Sequence, residues 1–237
     1  IHRYTVTRLR KEIEPVSISD FMRFLFEWQH LAANSQLEGA AAVYTVLQQL
    51  EGYSASATSW ENAILPDRIQ HYQSDWLDQC CLSGRFVWLR GRAPSQKSTP
   101  QSRTSTNLKS IPIYFLQRAN LAQWRVTSKQ EKDVLSSQAR LVFDILQQSG
   151  ACFFDDILSQ HKTMPSLLEE SLAELISQRL ISSDSFAGLR RFLRTSKQSQ
   201  RLQRARRRMP TVAPIQDQSG RWWIIPDTPD TARTETE

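Results

Sequence analysis

The chain has 237 residues, 40% of them hydrophobic, with three cysteines and a formal net charge of +6. That length serves one large domain or two small ones, with enough apolar side chains for real cores. No apolar run nears the ~20 residues that span a bilayer as a helix, and no basic-then-apolar leader opens the chain. Cys80, Cys81 and Cys152 form no CxxC pair, so free thiols in a reducing cytoplasm are expected, with no membrane partner. The opening Ile1 and the polar tail from Pro226 suggest a piece of a longer polypeptide.

The positive charge is concentrated. Between Leu189 and Met209 stand Arg190, Arg191, Arg194, Lys197, Arg201, Arg204, Arg206, Arg207 and Arg208, with no acid among them. Without these nine the chain would carry −3. The protein is a mildly acidic body with one cationic segment.

Few glycines (7) and many helix-compatible residues predict mainly α structure with short β strands. Residues 1–90 are expected to form a helical subdomain. Ser19 is a candidate cap for a helix whose stripe holds Phe21, Leu25 and Trp28, broadened by Met22 and Phe26, with Phe24 partly off it. A helix apolar around so much of its girth should be buried on more than one side. A second helix is expected from Gly39 to Glu51. A third should begin at the capping box Thr58-Ser-Trp-Glu61 and stop before Pro66. A fourth follows Ser74 and closes at Gly84. Arg85–Leu89 reads as a strand.

Residues 91–108 are polar and proline-bearing, and a flexible loop is predicted. Ile111–Leu116 resumes a strand pattern, and its proline suggests a sheet edge. Residues 109–188 then read as this strand plus a winged helix-turn-helix. Ser136 or Ser137 caps a helix bearing Ala139, Val142, Phe143 and Leu146. A short helix near Phe153–Ser159 follows, and Pro165 opens a third carrying Leu168, Leu172, Leu175 and Ile176. Leu180–Ser183 would be the first wing strand. Residues 189–214 form the basic arm, 215–226 a small β element that returns to pair with an earlier strand, and 227–237 a disordered tail. No internal sequence repeat is visible.

There is no GxxxxGK[ST] loop and no GxGxxG, so the chain has no phosphate cradle of its own. His2, His30, His71 and His161 lack metal-ligand spacing, and the adjacent carboxylates Asp155-Asp156 and Glu169-Glu170 point in different directions on a helix. No catalytic residue and no metal site is predicted. The third helix of the winged motif shows Glu169, Glu170 and Glu174 and no Lys or Arg from Thr163 to Gln178, so it should not enter a DNA groove in the usual way. It could instead dock a protein partner. The basic arm can neutralise several phosphates or serve only as a solvated linker. Trp28, beside His30 and with Arg3 nearby in sequence, suits stacking on a base, although periodicity alone assigns it to the core stripe.

Three stretches, Ile1-His-Arg-Tyr-Thr5 through Glu12-Ile-Glu-Pro-Val16 to Asp20–His30, Trp76-Leu-Asp78 with Cys81–Gly84, and Phe153–Asp156 with Ser182–Arg190, resemble the Lhr (large helicase-related) family of ATP-dependent DNA helicases. The resemblance implies a parent with two RecA-like motor domains, using ATP and magnesium and translocating 3′ to 5′ on single-stranded DNA to unwind duplexes or DNA–RNA hybrids in repair. This chain would be part of the accessory domain C-terminal to the motor, holding the strand against the motor domains of the same chain. It implies that Trp28 contacts bases; His30 and Arg3 beside it in sequence, and by charge alone Arg190, Arg191, Arg194, Arg206, Arg207 and Arg208 of the basic arm, are the further expected nucleic-acid contacts. It also implies that the closing strands of the winged helix lie beyond the chain, leaving an exposed sheet edge. A DNA glycosylase-like repair module and a protein-interaction winged helix are the alternatives.

Overall fold

The structure, a computed structural model, describes residues 15–91, 112–124, 135–193 and 220–226. Helix α1 (Ile18–Trp28) is capped by Ser17, whose Oγ accepts the Asp20 amide. Ser19, the expected cap, lies one residue inside the helix. A two-residue parallel pair, β1 (Leu37–Glu38) with β3 (Ile69–Gln70), anchors the chain that follows α1.

A winged helix then forms where helices followed by one strand at Arg85–Leu89 were expected. Its first helix, α2 (Ala40–Gln49), turns Ala42, Val43, Val46 and Leu47 into the core. Strand β2 (Ala55–Ser56) leads to α3, a turn at Ala57–Ser59 that continues as a π turn over Trp60–Ile64. Its cap is Ser56, which accepts the Ser59 amide, rather than Thr58; this leaves Glu61 free for a distant partner. Helix α4 (Ser74–Leu82) occupies the third position, and β4 (Phe86–Arg90) and β5 (Pro112–Gln117) pair antiparallel from Phe86↔Gln117 to Arg90↔Ile113. The sheet order is β2-β5-β4, so β5 is central and not the predicted edge. Pro112 is tolerated because it is the first residue of the strand, where the missing N–H costs least. The polar residues between Gly91 and Pro112 therefore join the two wing strands.

A 3-10 turn (Arg118–Asn120) and the short α5 (Leu121–Trp124) leave this unit. Glu51 holds them in place: its carboxylate accepts the Gln117 amide and side chain at 3.0 Å each, and the Asn120 side chain at 3.0 Å. The Trp124 ring closes over Gly52, where a Cβ would stand 2.2 Å from the ring, and the positive φ of 77° there independently favours glycine.

The second unit repeats the same order of elements. Helix α6 (Ser137–Ser149) is capped by Ser136, whose Oγ accepts the Ala139 amide, a contact worth about 1 kcal/mol. Strand β6 (Cys152–Phe153), α7 (Phe154–His161), α8 (Pro165–Ser177), β7 (Ile181–Ser183) and β8 (Arg221–Ile224) follow. Leu168, Leu172, Leu175 and Ile176 of α8 are all buried. Strand β8 lies between β6 and β7, antiparallel to both. The closing strand is thus present, which corrects the expectation of an incomplete sheet. Apart from β3 in the first unit and a helix inserted before β8 in the second, each unit has the order helix, strand, helix, helix, strand, strand, with the last strand central. The repeat is one of topology, with no matching repeat in the sequence. Helix α9 (Phe186–Leu193) sits in the connection from β7 towards β8.

The two units share one core. Trp60, Phe86, Trp88 and Phe115 of the first belong to the same buried cluster as Val142, Leu172, Phe186 and Trp222 of the second. Edge strands β4 and β7 face each other. Ser182 Oγ donates to the Trp88 carbonyl at 2.6 Å, and Trp88 Nε1 donates to the Ser185 carbonyl at 3.2 Å. Trp88 meets Trp222 edge-to-face at 6.3 Å, and Phe115 meets Phe186 at 5.7 Å. The other face of β4, through Val87 and Leu89, packs with Leu116 and Ile225 in a smaller cluster. Strand β4 is therefore buried on both faces, and each sheet covers the edge of the other.

Candidate nucleic-acid interface

Helix α1 contradicts its predicted burial. None of its residues is buried; Phe21, Met22, Phe24 and Phe26 are exposed, and Trp28 is 55% exposed. At 100° per residue the apolar side chains occupy an arc of about 200°, with Ser19, Asp20, Arg23 and Glu27 on the rest. Phe24 and Trp28, one turn apart on one flank, lie with ring centroids 6.4 Å apart and planes 12° from parallel. Sequence reasoning passed over Phe24 because it lay off the core stripe. Its signal was the i, i+4 spacing from Trp28, which makes the two rings neighbours on a helix.

The helix is tethered at its C-terminal end. Gln49 Nε2 donates to the Trp28 carbonyl at 2.7 Å, and an Arg68 guanidinium nitrogen donates to Gln29 Oε1 at 3.3 Å. His30 takes a left-handed conformation, φ 58°, and its Nδ1 meets the Ser35 carbonyl at 2.9 Å. A carbonyl only accepts, so Nδ1 carries the proton. His30 is half-buried and shapes the turn that holds Trp28 outward.

Arg190, expected as a nucleic-acid contact, is engaged by two carboxylates of the first unit. Its Nε lies 3.0 Å from both Glu61 oxygens, one terminal nitrogen 2.6 Å from Glu61 Oε1, and the other 2.9 Å from Asp78 Oδ2. Burial by itself would lower its pKa. The hydrogen bonds and charge of Glu61, with the charge of Asp78, outweigh this and hold Arg190 above the usual arginine range. Asp78 also accepts the Ala187 amide at 2.7 Å and the Ser185 hydroxyl at 3.2 Å, at the start of α9. Glu61 and Asp78 were missed because they lie 129 and 112 residues from Arg190, a distance no local pattern spans. Arg3, Arg194, Arg206, Arg207, Arg208 and the side chain of Arg191 lie outside the described residues.

The third helix of each unit, the one that commonly meets DNA, carries no cation. Helix α4 holds Asp75 and Asp78; α8 holds Glu169, Glu170 and Glu174. Glu174, expected to point outward, accepts the Ser136 amide at 2.7 Å and hydroxyl at 2.6 Å and so ties α8 to the cap of α6. Among the described residues no group of three or more His, Cys, Asp or Glu could hold a metal, and no helix is long and apolar enough to cross a membrane. The three cysteines are free thiols.

Fold and surface define a tandem winged-helix protein whose two units are fused through their sheets. Residues 16–104 match the family model described as the winged-helix domain of the large helicase-related protein, a span that runs from α1 through β4. The chain is 28% identical over 240 residues to the Lhr helicase/probable uracil glycosylase of Mycolicibacterium smegmatis, covering 95% of this chain and 15% of that protein. It is 26% identical over 258 residues to the Lhr helicase/uracil glycosylase of Escherichia coli K12, covering 94% of this chain and 16% of that protein. The chain is thus similar to Lhr helicases along nearly its whole length. It spans about a sixth of the length of these curated relatives.

Proposed function

We propose that this chain is a nucleic-acid-guiding accessory module of a longer, Lhr-type ATP-dependent 3′–5′ DNA helicase acting in DNA repair in the cytoplasm. The observation that carries the reading is the exposed, stacked Phe24–Trp28 pair. A solvent-facing aromatic platform suits the face of an unpaired base, whatever its identity, which is what a protein following a moving strand requires. The partners are single-stranded DNA or a DNA–RNA hybrid and the motor domains of the same polypeptide. The cationic segment supports the reading by its place in the chain: it lies in the connection between β7 and β8, the wing position of the second unit. Its positive charges match phosphates irrespective of sequence.

The sequence holds no GxxxxGK[ST] or GxGxxG loop, so the reading assigns ATP and magnesium to the motor domains of the proposed parent. The reading is tested by fluorescence anisotropy with labelled single-stranded oligonucleotides, comparing the unaltered chain with Trp28→Ala. Equal affinities for the two proteins at all salt concentrations would remove its main support.

A second reading, a glycosylase-like repair module, is suggested by the names of the two relatives, both of which include uracil glycosylase. The more enclosed carboxylates speak against a catalyst here: Glu61 and Asp78 are spent on Arg190, and Glu51 on Gln117 and Asn120. Release of uracil from a uracil-containing strand by the purified chain would decide for it.

A further inference from the structure

Along β4 the side chains alternate between two faces. Val87 and Leu89 lie in the smaller cluster with Leu116 and Ile225, while Phe86 and Trp88 belong to the shared core. Arg90 is the next residue on the Phe86–Trp88 side, so a cation ends the face that meets the second unit. Its Nε is enclosed without a hydrogen-bond partner, and among the described residues its side chain makes no ion pair. Arg190, by contrast, is met by both Glu61 and Asp78.

A second guanidinium arrives from the other unit. Arg179 follows α8, and one of its terminal nitrogens donates to the carbonyl of Gly91, the residue after Arg90, at 3.3 Å. Its backbone is left-handed, φ 62°. That position after a helix favours glycine or asparagine, so an arginine there is an uncommon choice. Burial lowers the pKa of Arg90, and the nearby Arg179 charge lowers it further. The connection that leaves Gly91, residues 92–111, adds Arg92, Lys97, Arg103 and Lys109 and no Asp or Glu. Both Arg90 and Arg179 are half-buried rather than sealed off. Like charges set side by side and partly removed from water repel, and an anion shared between them offsets that repulsion.

We propose that Arg90 and Arg179 form an anion site at the junction of the two units, taking a phosphodiester group of a nucleic-acid strand. The site rests on the proposed nucleic-acid reading and deepens it by naming side chains that hold the backbone. Each planar guanidinium presents paired N–H donors that match two oxygens of one phosphate. A phosphate carries no base identity, so the contact serves any sequence. Arg90 belongs to the first unit and Arg179 to the second, so the site exists only where the units meet.

The test measures binding of a labelled oligothymidylate of about 15 nucleotides, near the upper end of known single-strand site sizes, at several salt concentrations. The proteins compared are the unaltered chain, Arg90→Met, Arg90→Lys and Arg179→Gly, each also melted by circular dichroism. Arg90→Met should bind about tenfold more weakly at low salt. Its slope of log affinity against log salt should be shallower by about 0.7, the value for one single-strand phosphate. Its melting temperature should be unchanged or higher, because methionine removes a desolvated charge and a like-charge neighbour without breaking a bond. Arg90→Lys should keep the slope and lose part of the affinity, since an ammonium is a point charge without the fork. Arg179→Gly eases the left-handed backbone and should flatten the slope as Arg90→Met does. Unchanged affinity and slope in Arg90→Met would overturn the site and leave the proposed function standing. Weaker binding joined to a lower melting temperature would mark Arg90 as structural and overturn the site as well. No binding by the unaltered chain would overturn both.

Discussion

Trp28 stands where a helix stripe, taken alone, would bury it, and is held outward by two contacts made by backbone and turn: the Gln49 bond to its carbonyl and the His30–Ser35 turn. Because its ring contributes little to the core, Trp28→Ala should weaken single-strand binding by about 1–3 kcal/mol and leave the melting temperature within a degree or so. A large drop in melting temperature would show that the ring is structural. The cysteines make a second residue-scale prediction. Burial pushes the Cys80 thiol up to about 11 and raises Cys81 and Cys152 above their ordinary value. In the unfolded chain these thiols ionise near pH 8.5–9. Between there and about pH 11 the folded protein binds more protons than the unfolded one, so stability falls as pH rises. The stability these thiols contribute is whole below about pH 8.5. Urea midpoints should be level from pH 7 to 8 and lower at pH 10; a midpoint that rose with alkali would contradict their burial.

At the scale of elements, local chemistry and tertiary packing divide the work. Helices carrying apolar faces at i, i+3 and i+4, such as the serine-capped α6 and the proline-led α8, were legible because their signals lie within a few residues. The first winged helix was not, because β2 is only two residues long and β5 pairs across the Gly91–Pro112 connection; no local pattern reports such a pairing. The predicted edge at Pro112 failed because proline forbids only a donor, and a strand's first position does not need one. The basic segment belongs to this scale as well. Replacing Arg206, Arg207 and Arg208 with glutamine should flatten the dependence of log affinity on log salt for single-stranded DNA by about 2, at about 0.7 per phosphate released. An unchanged slope would show that these arginines meet no phosphate.

For the whole molecule, the shared core has a thermodynamic consequence. Trp88 packs on Trp222 and Phe115 on Phe186 across the junction, and β4 is buried on both faces only because the second unit is present. Neither unit can unfold without exposing the aromatic core of the other. Heat or urea should therefore produce one cooperative transition, with tryptophan fluorescence and far-ultraviolet circular dichroism giving the same midpoint. Two separated transitions would mean the units are independent domains. The same fusion accounts for the acidic third helices: with the junction made by sheets and α9, neither α4 nor α8 needs to serve as a groove reader, and both present carboxylates.

From the sequence alone came the mainly α class with short strands, the second unit's helices, the free thiols, the cationic segment and the family likeness, because each is written in composition or in neighbours a few residues apart. The tertiary structure alone decided that there are two winged helices of one topology, that Arg190 is engaged by Glu61 and Asp78, and that Trp28 faces outward beside Phe24. Those facts depend on contacts between residues tens to more than a hundred positions apart. Helical periodicity records that a side chain is apolar and which way it turns about its own axis; whether another surface arrives to cover it is settled only when the rest of the chain has folded.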